Sequence, residues 1–205
     1  VVYESETFPN SFKSNANLAG IVFPQNVTKT ASAAFQKTGM TSVTLLKGIS
    51  YGSNAFDSCA SLVSVTVEEG VTEIGNYMFQ NTKLTDVTLP NSVTKIGASA
   101  FNGCSLTTIN FGQGVKTIEN SAFQNCGELT EIILPDATET LGQNAFGDCP
   151  KLAKISLGKN MKTLEAYCFV GYSKGCPLLG DIICRATTPP TLKDDYGTGP
   201  FGGGW

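Results

Sequence analysis

The residues with most chemical potential in this 205-residue chain are seven cysteines, at positions 59, 104, 126, 149, 168, 176 and 184, set in a sequence that contains no histidine. Thiols in that number could form a disulfide scaffold, bind a metal or supply a reactive nucleophile. Zinc is disfavoured, because no C-x-x-C pair occurs and the spacings are too wide for a local tetrahedral set. Without histidine there is no Ser-His or Cys-His pair and no imidazole base or ligand. The acidic pair Asp194-Asp195 stands outside any D-x-D-x-D-G loop and reads as a solvated loop rather than a calcium site. No paired-carboxylate constellation or phosphate-cradling glycine loop appears, so no enzyme, catalytic residue, metal or cofactor is expected. Lys and Arg number 14 against 17 acidic residues, a net charge of −3, which leaves no basic footprint for nucleic acid or an anionic membrane. No apolar stretch reaches the roughly 18 residues that span a bilayer, so no membrane insertion is expected within the chain. Val1 in first place suggests a processed protein or an excised domain, with any signal or anchor outside it.

What positions the cysteines is a repeat. Phenylalanine preceded by a compact residue recurs at Ala34-Phe35, Ala55-Phe56, Met78-Phe79, Ala100-Phe101, Ala122-Phe123, Ala145-Phe146 and Cys168-Phe169, at intervals of 21 to 23 residues. Five or six residues later an alternating segment opens, as in Leu84-Thr-Asp-Val87-Thr-Leu89 and Leu129-Thr-Glu-Ile132-Ile-Leu134. A turn with Pro or Gly ends it, and a second apolar pair follows, such as Val93 and Ile96 or Val115 and Ile118. One such unit cannot bury its apolar face, whereas stacked units can. Four cysteines lie three residues after the rung phenylalanine, and Cys176 joins them once a four-residue insertion is removed; Cys168 replaces Ala100, and Cys184 replaces Leu157. All seven therefore take small or apolar inward positions, and seven free thiols are expected.

The stretch LTDVTLPNSVTKIGASAFNGC, Leu84 to Cys104, resembles the BspA-like leucine-rich repeat unit, L-x-x-I-x-L-P-x-x-V-x-x-I-G-x-x-A-F-x-x-C, and the resemblance extends from about Phe12 to Phe201. It implies a leucine-rich repeat solenoid, horseshoe-like and mostly β: right-handed, about eight rungs of 22–23 residues, with a parallel sheet on the concave face and short strands and helical turns on the return path. It also implies an extracellular or cell-surface bacterial or protist protein, adhesin-like and without known catalysis. The expected organisation is an N-terminal cap and half repeat over 1–17, the solenoid over 18–184, and a C-terminal cap and flexible tail over 185–205. Val1-Val2-Tyr3 and Phe8 fall outside the repeat frame.

Outward strand positions form two columns, one running from Gly20 and Ser42 to Lys154 and Asp181, the other from Val22 and Thr44 to Ser156 and Ile183. Threonine suits exposed strand positions whether or not anything binds. The first half is rich in serine and threonine, as a rigid spacer holding another domain away from a cell envelope would be. The second half mixes charge with apolar groups, as a binding face would. The binding candidates are Thr88, Thr108, Asn110, Glu131, Ile133, Lys154 and Ser156, with an extracellular protein or glycan as partner and a monomer as the expected state.

Overall fold

Strand segments this short, each with one apolar edge of alternate residues, must pair rung upon rung to bury that edge. The computed structural model describes residues 5–170, 173 and 175–193, and the strands of these residues fall into two sets. The front set, with strands numbered in chain order, is β3 (Ser42–Leu45), β4 (Ser64–Val67), β6 (Asp86–Thr88), β8 (Thr108–Asn110), β10 (Glu131–Ile133), β12 (Lys154–Leu157) and β14 (Asp181–Cys184). The rear set holds two-residue strands: β1 (Thr7–Phe8), β2 (Lys29–Thr30), β5 (Glu73–Ile74), β7 (Lys95–Ile96), β9 (Thr117–Ile118), β11 (Thr140–Leu141), β13 (Thr163–Leu164) and β15 (Thr191–Leu192). All pairings are parallel, and registers set like on like: Val43 on Val65, Val87 on Ile109, Ile132 on Ile155 and Ile182. The chain is a parallel β-solenoid of the leucine-rich repeat type.

Among the described residues seven front strands form where eight rungs are expected, because Gly20–Phe23 makes no backbone hydrogen bond there and stays outside the ladder. Glycine in a strand of an end rung, followed by Pro24, weakens pairing at that position. At the other side Phe8 enters the rear ladder, registered with Thr30, although the repeat frame leaves it out. The segment expected as a C-terminal cap, 185–205, contains β15, which extends the rear sheet from β13. Residues 1–3, Asp194-Asp195, Phe201 and the glycine tail lie outside the described residues.

The core is a column of rings. Phe35, Phe56, Phe79, Phe101, Phe123 and Phe146 are wholly buried and stack with centroids 5.2–5.6 Å apart and planes within 19°. Burial of each ring contributes roughly 1.5–3 kcal/mol, and a well-placed aromatic pair adds about 0.5–1.5.

Helical turns are expected beside this column, yet no helix occurs among the described residues. Two positions per rung adopt left-handed backbone, the second residue before and the second after each phenylalanine: Ala33 and Lys37, Asn54 and Ser58, Tyr77 and Asn81, Ser99 and Gly103, Ser121 and Asn125, Asn144 and Asp148. Left-handed residues interrupt an α-helix and redirect the N–H groups. The Phe35 N–H donates to the Ala55 carbonyl of the next rung at 2.9 Å, Phe79 to Ala100 and Phe101 to Ala122 at 2.8 Å. A third inter-rung ladder thus replaces the helical turns.

The phenylalanine carbonyls explain the cysteines. The thiols of Cys59, Cys104, Cys126, Cys149 and Cys176 donate to the carbonyls of Phe35, Phe79, Phe101, Phe123 and Phe146 at 3.0–3.3 Å. Where threonine holds the position, the Thr38 and Thr82 hydroxyls donate to Phe35 and Phe79 at 2.9 Å. The position therefore needs a compact side chain with a donor, and both residue types supply one. All seven cysteines are free thiols, but only five are buried. Cys176 is half-buried and Cys184 exposed, because among the described residues no further rung covers β14.

Candidate functional site

The front sheet is not continuous. Its strands pair as β3-β4, β6-β8 and β10-β12-β14. From the cysteine or threonine position to the first apolar strand residue the corner is two residues in the rungs of β6 and β8 (Thr82 to Leu84, Cys104 to Leu106) and three in those of β4, β10, β12 and β14 (Cys59 to Leu62, Cys126 to Leu129, Cys149 to Leu152, Cys176 to Leu179). Both breaks fall where this length changes, between β4 and β6 and between β8 and β10. The β3-β4 pair tolerates such a change (Thr38 to Met40, then Cys59 to Leu62).

The break divides the candidate residues into two groups. Thr88 lies in register with Asn110, and Thr108 with Asp86, on the two-stranded piece. Glu131 is in register with Lys154 and Ile133 with Ser156 on the three-stranded piece. Glu131 Oε1 and Lys154 Nζ meet at 2.7 Å, each about 40% exposed, so the two charges answer one another. The carboxylate beside Lys154 raises the pKa of its ammonium. An exposed pair of this kind does little for stability and mainly fixes side-chain positions. Next to it Ile133 is 60% exposed and Ile183 45%, with Ser156 between them in the same column. Two large exposed aliphatic side chains beside a closed ion pair form a small amphipathic surface.

The structure adds residues that the sequence frame does not single out. Between the ends of β8 and β10 lies a cleft of about 380 Å³, lined by Asn110, Gln113, Ile133, Asp136 and Arg185 among others. Arg185 is the only arginine of the chain. It reaches back from the end of β14: Nε donates to the Leu157 carbonyl at 3.2 Å, Nη2 donates to the Leu134 carbonyl at 2.9 Å and lies 3.2 Å from Asp136 Oδ1. Asp136 also pairs with Lys159 at 3.0 Å, and Lys159 and Arg185 together hold its carboxyl below the usual carboxylate range. Asn110 Oδ1 accepts the Gly112 N–H at 3.1 Å, which closes the turn after β8. Among the described residues the Gln113 side chain and the Nη1 group of Arg185 carry no hydrogen bond. The signal available in the sequence is the unique arginine directly after the last strand.

Two further cavities among the described residues also lie beside gaps in the pairing. One of about 440 Å³ spans Gly20, Val22, Ser42, Thr44, Ser64 and Thr66, beside the unpaired first rung. One of about 270 Å³ separates Ser50 from β5 at the rear, where the rung of Phe56 is a residue short. Tyr51 partly fills that gap: its hydroxyl accepts the Leu46 N–H at 2.9 Å, and burial pushes its pKa up to about 12.

The comparisons agree with this architecture. A family model described as BspA-type leucine-rich repeat region matches residues 5–51 and 49–175, in six copies. No curated protein matches the sequence. A leucine-rich cell surface protein from Faecalibacterium prausnitzii A2-165 superposes with a TM-score of 0.62 at 22% identity, covering 88% of this chain and 57% of that one. The T. pallidum leucine-rich repeat protein superposes at 0.52 and 23% identity, over 88% of this chain and 71% of that one. This chain thus spans little more than half the length of the first of these, and at such identities the likeness establishes the fold alone. Through its family match, the chain belongs to the BspA-type leucine-rich repeat family.

Proposed function

We propose that this chain is a non-enzymatic binding module that works outside the cell, recognising a protein or a glycan through the concave face of its C-terminal half. The observation that carries the reading is the column Ile133, Ser156, Ile183, in which two exposed aliphatic side chains flank a small polar one beside the Glu131–Lys154 pair. Exposed apolar groups among fixed polar ones are the ordinary composition of a recognition surface. Repeat architecture supports the same reading, since stacked rungs present an extended face. The extracellular setting is supported by the family and by the surface location stated for the Faecalibacterium protein.

A spacer is the second reading, favoured by the outward Ser42, Thr44, Ser64 and Thr66 on β3 and β4, which are uniform and uncharged. An array of extracellular-matrix proteins and glycans, probed with the wild-type chain and with Ile133→Lys, separates the two. Binding that the variant loses supports recognition through the C-terminal half. Binding that the variant keeps moves the site elsewhere, and no binding at all favours the spacer.

A further inference from the structure

Resting on the reading of the concave face as a recognition surface, we propose that the cleft between β8 and β10 holds one neutral, hydroxyl-rich sugar residue. Its volume, about 380 Å³, lies near the lower end of the roughly 300–1,000 Å³ of small-molecule sites, which suits one ring rather than a chain. The cleft lies where the corner lengthens by one residue between β8 and β10 and the front ladder opens, while the rear strands β9 and β11 stay paired.

The groups around it match hydroxyls rather than a charged ligand. Asp136 is held between Arg185 and Lys159, and three hydrogen-bond or ion-pair contacts fix the guanidinium in place. Among the described residues the Nη1 donors of Arg185 carry no hydrogen bond, and Arg185 lines the cleft. Gln113 presents a free amide, which offers a donor and an acceptor together, and Asn110 keeps its Nδ2 donors. A sugar hydroxyl is also donor and acceptor at once, so vicinal hydroxyls can satisfy a donor and acceptor set of this kind. A carboxylate or phosphate only accepts, so it would leave the amide oxygen of Gln113 without a donor. Ile133 supplies an exposed aliphatic wall for the C–H face of the ring.

The test uses the whole chain, isotopically labelled, with free monosaccharides as probes: neutral hexoses, N-acetylhexosamines and uronic acids. The expected result is saturable backbone shift changes confined to residues 109–113 and 133–136 for at least one neutral sugar, with an affinity unchanged by added salt. Gln113→Ala leaves the Gln113 N–H bond to Asn91 in place and so preserves the turn. It should weaken binding about five- to tenfold at an unchanged melting temperature, while Thr66→Ala leaves the affinity intact. Uronic acids alone binding, with an affinity that falls as salt rises, would overturn the assignment, as would shifts located elsewhere. No response to any sugar, with a protein partner still mapping to the front face, would sink the cleft proposal and leave the recognition reading standing. No response to sugars or proteins would remove both.

Discussion

The phenylalanine column gives the sharpest stability prediction. Phe123 stacks between Phe101 and Phe146, each 5.2 Å away with planes within 8°, and meets Phe111 edge-on at 5.6 Å. Replacing it with alanine removes a wholly buried ring that neighbours on both sides hold in place, so the void cannot collapse readily. Core Phe→Ala changes cost about 3–5 kcal/mol, and three aromatic contacts put this one at about 5. Against a domain stability of about 5–15 kcal/mol that loss is severe. In a stack where each rung touches only its neighbours, the loss falls on one inter-rung interface, so the segments on either side should come apart as separate units. Urea unfolding followed by far-UV circular dichroism should show Phe123→Ala with an earlier, broadened or two-step transition. Phe123→Leu should lie between it and the wild type, and Tyr77→Ala at the surface should cost under about 0.5 kcal/mol. A single sharp transition for Phe123→Ala, displaced by less than about 1.5 kcal/mol, would refute the argument that the ring column couples the rungs.

Thiol labelling of the native chain should modify Cys184 quickly, Cys176 slowly, and the remaining five only on unfolding; rapid labelling of Cys126 would contradict its burial. Gly158→Ala should cost about 2–3 kcal/mol, since its Cβ would sit 2.1 Å from the Pro135 carbonyl oxygen, whereas Gly127→Ala meets open space and should be neutral, both measured by urea midpoints. Burial raises the pKa of Tyr51 to about 12 and of Cys104 to about 11, so their neutral forms are favoured in the folded state. For such groups the stabilisation is complete below the unfolded pKa values, about 8.5 for Cys and about 10 for Tyr, and disappears as pH rises through the folded ones. Stability should therefore fall progressively between about pH 9 and 12, and Tyr51→Phe should flatten the part above about pH 10 by about 2 kcal/mol.

The rung frame, the ring column and the inward cysteines are legible in the sequence because each rests on a period that side-chain burial enforces. Less legible are features set by backbone conformation and corner length. Ala33, Lys37 and Tyr77 adopt left-handed φ with no glycine to signal it, because the inter-rung hydrogen bonds of the phenylalanine turn hold them there. The helical turns expected on the return path give way for the same reason. The front-sheet breaks coincide with one-residue differences in corner length, Cys59 against Thr82 and Cys104 against Cys126, which become meaningful only once strand registers are known. Glu131 and Lys154 are nominated separately as charged outward residues, and the register joins them into one neutral pair. Arg185 shows how far a side chain can act from its own rung: it donates to a carbonyl 51 residues earlier, which no local pattern encodes. Phe8 escapes the frame because its distance to Phe12 is four residues where Thr30 to Phe35 is five.

The claim that the C-terminal half of the concave face recognises a partner is tested most directly by hydrogen exchange of the whole chain, alone and with the protein or glycan that binds it on the array. The account predicts slowed exchange in β10, β12 and β14 and at the end of β8, with β3 and β4 unchanged. Protection confined to β3 and β4, or to the rear strands, would contradict it.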